Sequence, residues 1–208
     1  MHFTLCDMFS DLTQNAIEAG STEIRVGLAE DEQYITLSIR DNGCGMTGEQ
    51  LKKATDPFWT DGIKHPGRKL GFGIPFLIQT AEMTGGDWVI QSRRAGTTER
   101  TGSIPKAEGE DELAQGPSGT LLWCRFDLTH IDTPPVGDVT GYFRHVLTFD
   151  GRYELCIAHQ YVKDGKSGSY TVRRSELLEA LGLQEEGSFT DVSSLSLLAS
   201  YLESLLEE

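Results

Sequence analysis

A strand-like segment that leads directly into a glycine-rich turn constrains this chain more than any other stretch of its sequence. Apolar and polar residues alternate over residues 34–40, which predicts a β-strand with one buried face. Asp41 and Asn42 follow, and then two glycines, Gly43 and Gly45, which allow close backbone approach and positive φ. A carboxylate held at a strand end can accept a hydrogen bond from an amino group. An Asp-Asn-Gly sequence alone is more often an ordinary turn, so the flanking segments decide between a turn and a binding site.

Two predicted helices flank this turn. Residues 9–19 carry apolar residues at helical spacing, and the glycine that follows them is a natural C-cap. One face of this helix holds Asp11, Asn15 and Glu18, a pattern that by itself is typical of a solvated surface. The second helix, predicted at 74–83, follows a glycine-rich sequence, and a helix N-terminus favours anions. Together the two helices predict that the polar face of the first one looks into a pocket.

The order and spacing of these segments closely resemble the GHKL superfamily, whose members include gyrase B, the ninety-kilodalton heat-shock chaperone, histidine kinases and MutL. The resemblance covers about residues 5 to 130, and the segments that carry it are residues 11–20, 41–46, 56–60, 69–75, 85–86 and 118–120. It implies an α/β fold, a two-layer sandwich of the Bergerat type. Its sheet is mixed and largely antiparallel, its helices lie on one face, and ATP with Mg²⁺ binds between the helices and a lid.

The resemblance assigns the base of the nucleotide to the glycine turn. Asp41 matches the aspartate that recognises the amino group of adenine. Backbone room beside the base comes from Gly43, Gly45 and Met46. Thr120 matches the threonine that assists this aspartate, often through a water molecule. Thr97 follows a glycine as well and is a weaker competitor for that role, so the two threonines remain alternatives.

The resemblance assigns the phosphates and the metal to the two helices. Asn15 matches the asparagine whose side-chain oxygen binds Mg²⁺, a cation that takes few protein ligands and keeps water and phosphate oxygens for the rest. The second glycine box brings backbone amides at a helix start to the phosphates; it consists of Gly71, Phe72 and Gly73. Basic residues of the preceding loop can reach the phosphates as part of a closing lid; they are Lys64, Arg68 and Lys69.

Asp11 is the candidate catalytic residue. It precedes Asn15 by four positions, one helical turn away on the same face. In the gyrase, chaperone and MutL branches a glutamate at this place acts as the general base on the attacking water. Asp11 is one methylene shorter, and three roles remain open for it: activating water, binding Mg²⁺ through water, or holding the helix.

The chain carries signals of more than one branch of the superfamily. Residues 56–60, Asp-Pro-Phe-Trp-Thr, resemble the aromatic box of histidine kinases, yet no helix pair with a phosphoacceptor precedes Asp11. We therefore expect an ATP-dependent enzyme of histidine-kinase-like type, which hydrolyses ATP slowly or phosphorylates a partner protein in signalling. The alternative from another class is a non-catalytic, nucleotide-dependent switch that recruits a partner. A DNA-acting ATPase of the MutL or gyrase type is a third, disfavoured possibility.

Charge and composition limit the partners. The formal net charge of −14 over 208 residues argues against a general affinity for nucleic acid or anionic membrane. No apolar run approaches the length of a membrane span and no secretory signal opens the sequence, so we expect a cytoplasmic protein. The four cysteines form no Cys-x-x-Cys pair, which indicates reduced, mostly buried thiols rather than a zinc site.

The resemblance ends near residue 133, and the sequence divides the chain there. Residues 1–133 form the predicted ATP-binding domain, and residues 134–208 form a C-terminal α+β extension with a strand hairpin and two helices, either packed on the first domain or separate. The last helix, predicted at 193–206, is amphipathic and offers a face for a partner protein or a homodimer. Residues 93–117 lack periodicity and are predicted as a long loop.

Overall fold

The computed structural model describes most of the chain. The described parts are residues 4–56, 73–94, 96–103, 117–163, 165–183, 189 and 192–205. The helices in these parts are α1 (Leu5–Glu18), α2 (Gly48–Ala54), α3 (Gly73–Met83), α4 (Val139–Leu147), α5 (Arg174–Leu181) and α6 (Val192–Ser204). The strands are β1 (Glu23–Glu30), β2 (Tyr34–Asp41), β3 (Asp87–Arg94), β4 (Thr97–Gly102), β5 (Gly119–Asp127), β6 (Glu154–Lys163) and β7 (Lys166–Arg173).

Within the described residues the strands form one mixed sheet of seven, in the order β4-β3-β5-β2-β1-β6-β7. β1 and β6 run parallel, and all other neighbouring pairs are antiparallel. α1 and α3 pack against this sheet, and α4 packs on α1. The α/β fold with a mixed, largely antiparallel sheet that the resemblance implies is confirmed.

Alternating burial identifies the face of the sheet that the helices cover. In β2, Ile35, Leu37 and Ile39 are buried while the residues between them are partly exposed. β1 repeats this pattern, and α1 packs on both strands. Asp41 ends β2 in the same alternation and is buried too. Because side chains two positions apart lie on one face of a strand, the Asp41 carboxyl group lies on the helix-covered face.

α1 begins earlier than its apolar spacing predicts. A capping box starts the helix, because the Thr4 hydroxyl accepts from the Asp7 N–H while the Asp7 carboxylate accepts from the Thr4 N–H, both at 3.1 Å. The first turn is also tied to residues of the C-terminal extension: the N–H of Leu5 donates to the carbonyl of Pro135 at 2.9 Å. The extension therefore helps to fix the start of the helix that carries Asp11 and Asn15.

Two elements differ from the expectations that the sequence gives. β4 lies inside the stretch predicted as a loop; it is an edge strand of polar residues, so no apolar alternation marks it, and its backbone pairs with β3. α4 is a helix that is not among those predicted from the spacing of apolar residues. Asp138 caps it by accepting from the Gly141 N–H at 2.8 Å, and its buried residues Phe143 and Val146 recur at helical spacing.

The C-terminal extension contributes two strands to the sheet. β6 lies directly beside β1, with Val26 opposite Ile157 in register, and β7 forms the sheet edge next to β6. The hairpin predicted for this region is present, and α5 ends at Gly182 in a left-handed conformation, with φ of 65°. α6 packs on α4. Among the described helices, none has both the length and the apolar character required to cross a membrane.

Candidate functional site

Asp41 is held firmly at the end of β2, where its side chain is only 5% exposed. Its Oδ1 accepts hydrogen bonds from the Gly43 N–H at 2.8 Å and from the Ser21 hydroxyl at 3.2 Å. Burial raises the pKa of the Asp41 carboxyl, and the hydrogen bonds from Gly43, Ser21 and the Thr120 backbone oppose that rise. The carboxyl group is partly desolvated and fixed in direction, which strengthens a hydrogen bond that it accepts from a ligand.

The glycine turn after Asp41 packs too closely for side chains at its two glycines. A Cβ on Gly43 would lie 2.6 Å from Ser21 Oγ and 2.9 Å from the carbonyl oxygen of Ala19. Gly45 has a positive φ of 64°, and a Cβ there would overlap the Arg93 carbonyl. The turn is therefore clamped between the end of α1 and β3, and both glycines are required by the backbone.

Asp41 belongs to a row of polar residues that crosses three strands. In the sheet register Asp41 pairs with Thr120 of β5, and Thr120 pairs with Ser92 of β3. The hydroxyl oxygens of Ser92 and Thr120 are 2.9 Å apart, and Ser92 Oγ also accepts from the Met46 N–H at 2.7 Å. Ser92 is fully buried. This row connects the end of β2 to the glycine turn through side-chain contacts.

The register separates the two threonines that the sequence leaves as alternatives. Thr97 starts β4, pairs with Arg94, and donates its hydroxyl proton to the Arg94 carbonyl at 2.9 Å. Strands β3 and β5 lie between β4 and β2. Thr120 is therefore the threonine that neighbours Asp41.

The N-terminus of α3 meets the polar face of α1. A Cβ on Gly73, the first residue of α3, would lie 3.7 Å from Asn15 Nδ2 and 3.9 Å from Asp11 Cβ. Asp11 is half-buried and Asn15 is exposed, so the amide of Asn15 faces solvent beside the helix start. Gly73 and Ile74 are the first described residues of α3, at the end of a helix where N–H groups generally lack a partner within the helix, and Pro75 has no N–H group. An anion at this place would meet the N-terminus of α3 on one side and two oxygen-bearing side chains on the other.

Several residues that the sequence assigns to the phosphates lie outside the described residues. They are Lys64, Arg68, Lys69, Gly71 and Phe72. Their assignments remain sequence-based predictions. The aromatic box predicted at residues 56–60 is described only at Asp56, which is exposed.

Three residues of this region are absent from the sequence-based site. Ser21 and Ser92 are the hydroxyl groups that hold Asp41 and Met46. Asn42 ties the start of β1 to the turn, because its Oδ1 accepts from the N–H groups of Thr22 and Glu23 at 2.9 and 3.0 Å. For Ser21 and Asn42 the sequence does offer a signal. If β1 and β2 are assumed to pair antiparallel, the residues just before β1 come close to the end of β2.

Comparison with known proteins identifies the family. A family model described as "Histidine kinase-, DNA gyrase B-, and HSP90-like ATPase" matches residues 3–128. The chain belongs to this ATPase family. The match contains α1, the glycine turn, α3 and β5, which are the elements that build the site described above. The chain thus carries the ATP-binding domain of the family.

Curated relatives come from several branches of this ATPase family. A signal transduction histidine-protein kinase, AfsQ2 of Streptomyces coelicolor, is 25% identical over 100 residues, which are 48% of this chain and 19% of that protein. The chaperone protein HtpG of Methylococcus capsulatus is 29% identical over 114 residues, or 49% of this chain and 18% of that one. The DNA mismatch repair protein MutL of Streptococcus agalactiae is 24% identical over 205 residues, or 90% of this chain and 30% of that one. The chain spans less than a third of the length of each of these relatives, and similarity to MutL continues past residue 133, where the sequence motifs end.

Proposed function

We propose that this chain binds ATP with Mg²⁺ and hydrolyses it slowly, with Asp11 as the general base. The observation that carries the proposal is the meeting of the α3 N-terminus with Asp11 and Asn15 of α1, since this arrangement offers amide donors and oxygen ligands to a phosphate–metal group. The family match supports the nucleotide itself, because the site lies inside the matched residues.

In this proposal Asp41 recognises the adenine base. An ionised carboxylate has about four acceptor positions, and Oδ1 of Asp41 already accepts two hydrogen bonds, from Gly43 and Ser21. The remaining acceptor capacity fits the exocyclic amino group of adenine. Gly43, Gly45 and Met46 form the turn beside the base, and Thr120 lies next to Asp41 in the row.

The donor set at α1 fits Mg²⁺. The amide oxygen of Asn15 is a hard oxygen ligand of the kind that this cation prefers, and the cation can keep water and phosphate oxygens for its other positions. When bound with ATP, the metal would neutralise negative charge on the phosphates. The chain itself would orient the phosphates with the backbone amides of Gly73 and Ile74 at the start of α3. From the sequence we also propose phosphate contacts from Lys64, Lys69, Gly71 and Phe72.

The proposed chemical step is the attack of water on the terminal phosphate. The Asp11 carboxylate takes a proton from that water, and the bond between the terminal phosphorus and the bridging oxygen breaks to give ADP and phosphate. General-base assistance contributes about 10²- to 10⁴-fold to a rate when the base is within hydrogen-bond reach. A carboxylate one methylene shorter than glutamate reaches less far, so we place the expected effect near the lower end of that range.

Two other functions are each supported by one observation. Phosphorylation of a partner protein is favoured by the similarity to a histidine kinase, and a non-catalytic switch is favoured by the short side chain of Asp11. Either function would use the C-terminal extension or a second copy of the chain as the partner surface, in the cytoplasm. A DNA-acting role is favoured by the long MutL alignment but opposed by the net charge of −14.

Phosphate release under Mg²⁺ tests the proposal directly. We expect slow release by the wild type, about 10²-fold slower release by Asp11→Asn, and unchanged release by the control Glu176→Gln, whose residue is exposed on α5, a helix that packs on β6 and β7. ATP affinity should persist in Asp11→Asn. Equal turnover in wild type and Asp11→Asn would remove Asp11 as the base, and absent turnover with intact ATP binding would leave the switch or the kinase.

A further inference from the structure

Ser92 is the central residue of the polar row, and its hydroxyl group has three partners. It accepts from the Met46 N–H at 2.7 Å, lies 2.9 Å from Thr120 Oγ1, and donates to the Gly119 carbonyl at 3.2 Å. The side chain is fully buried, so water does not compete for these contacts. Each contact joins β3 to a segment of the proposed adenine-binding site.

Counting protons gives one direction for the bond between Ser92 and Thr120 that satisfies every partner of Ser92. A serine hydroxyl has one proton and two lone pairs. The Gly119 carbonyl can only accept, so the Ser92 proton is used in that bond, and the Met46 N–H takes one lone pair. In this assignment the remaining lone pair of Ser92 accepts from Thr120. This assignment satisfies all three contacts at once, whereas donation by Ser92 to Thr120 would leave the Gly119 contact without a proton.

Thr120 lies beside Asp41 in the sheet, and its side chain is only partly buried. With its proton directed at Ser92, the Thr120 oxygen presents lone pairs to the site. Asp41 presents carboxylate lone pairs from the neighbouring strand, roughly 5 Å away by strand spacing. The site therefore offers two adjacent acceptors. Such a pair suits an amino group or a bridging water that donates to both.

We infer that Ser92 is a positioning residue that keeps Thr120 a hydrogen-bond acceptor and thereby selects purine nucleotides with a 6-amino group over those with a 6-oxo group. This inference rests on the proposed nucleotide site and goes beyond it by naming the residue that sets base selectivity. A 6-oxo purine would point its carbonyl oxygen at two acceptors. Without Ser92, the Thr120 hydroxyl can rotate and donate its proton to that oxygen.

The test compares ATP with inosine triphosphate, which differs from ATP in the base edge that carries the 6-substituent. Affinities for both are measured by calorimetry on the wild type, Ser92→Ala, Ser92→Thr and Ser103→Ala. Ser103 is the control because its hydroxyl also bonds backbone groups of β3, at Trp88, away from the row. We expect the ATP preference of Ser92→Ala to fall about three- to tenfold, the worth of one hydrogen bond, through a gain in inosine triphosphate affinity. Ser92→Thr, which keeps the hydroxyl group, and Ser103→Ala should keep the wild-type ratio.

A double-mutant cycle separates positioning from general loosening of the site. Ser92→Ala should change the ratio in the Thr120 background and leave it unchanged in the Thr120→Val background. If Ser92→Ala does not fold, Ser92→Cys, a near-isosteric change with a weak donor and acceptor, takes its place. A parallel loss of both affinities with a constant ratio would overturn the inference while ATP binding stands, as would a wild type that binds both nucleotides equally. A wild type that binds neither nucleotide would overturn the proposed function and this inference together.

Discussion

At the scale of single residues, Asp41 joins two opposing influences on one carboxyl group. Burial favours its neutral form, while hydrogen bonds from Gly43, Ser21 and the Thr120 backbone favour the charged form, and the balance raises its pKa. The Asp41 carboxyl group holds the turn through its bonds with Gly43 and Ser21, and in the proposed function it also accepts a hydrogen bond from the ligand. The variant Asp41→Asn removes its charge and keeps its shape.

The raised pKa of Asp41 predicts a pH dependence of stability. Between the unfolded and the higher folded pKa, the folded state binds more protons than the unfolded state, so the free energy of unfolding falls as pH rises through this interval. The variant Asp41→Asn lacks this titration. Urea denaturation of both proteins from pH 4 upward should show the wild type losing stability relative to Asp41→Asn and then reaching a plateau. A wild type that gains relative stability with rising pH would mean that the hydrogen bonds outweigh burial.

The polar row also shows which part of the site a sequence can predict. Asp41, Gly43 and Gly45 are recognisable because each has a local signature at the end of a strand. Ser21 and Ser92 reach the site only through strand register, since Ser92 lies 28 positions from Thr120 along the chain and beside it in the sheet. Pairing between distant strands is set by the whole sheet, so no local pattern marks these two residues.

At the scale of elements, the C-terminal end of α4 is stabilised by a buried guanidinium group. Arg174, the first residue of α5, is 2% exposed. Its Nε donates to the carbonyl of Leu147, the last residue of α4, at 3.1 Å, and its Nη1 donates to the carbonyl of Tyr153 at 3.2 Å. The guanidinium also stacks over the Tyr153 ring, 4.4 Å from the centroid. One side chain thus satisfies a carbonyl at the end of α4 and the carbonyl just before β6, and it joins these two elements to α5.

Replacing Arg174 should therefore destabilise the fold. Arg174→Met keeps much of the apolar stem and removes the donors from two buried carbonyls, and we expect a loss of about 2–4 kcal/mol in the free energy of unfolding. The matched control is Arg173→Met, since Arg173 is exposed and forms a long ion pair with exposed Glu176, at 3.7 Å. We expect that control to change stability by less than about 0.5 kcal/mol. Urea denaturation measures both, and equal effects would show that the buried contacts of Arg174 contribute little.

The helices and strands also differ in how far the sequence alone predicts them. Strands and helices with one apolar face, such as β2 and α3, follow from periodicity. β4 has no such pattern because it is a polar edge strand that depends on β3 for its hydrogen bonds. α4 does carry a cap and an apolar stripe. The sequence therefore contains the signals that predict this helix, although it is not among the helices predicted above.

At the scale of the whole molecule, the C-terminal extension and the family domain share contacts. β6 pairs with β1 in the central part of the sheet, and the Tyr142 hydroxyl of α4 lies 2.9 Å from the Thr13 hydroxyl of α1. Burial raises the pKa of Tyr142 above its ordinary value. The helix that carries Asp11 and Asn15 therefore packs on both the sheet and α4.

The division at residue 133 stays a prediction, and these contacts suggest how to test it. A chain that ends at residue 133 would expose the edge of β1 and the surface of α1 that α4 covers. We expect it to aggregate or to melt without a cooperative transition, in contrast to the full chain, when both are followed by circular dichroism. A cooperative melt of the short chain would show that residues 1–133 fold independently.

The central claim is that the glycine turn and the two helices form an ATP site, and calorimetric titration tests it most directly. ATP, ADP and a non-hydrolysable ATP analogue are titrated with and without Mg²⁺ into the wild type and Asp41→Asn. We predict saturable ATP binding by the wild type, strengthened by Mg²⁺, and at least about tenfold weaker binding by Asp41→Asn, because the amide would turn a donor toward the adenine amino group. Equal binding by the two proteins, or no binding by a folded wild type, would contradict the account.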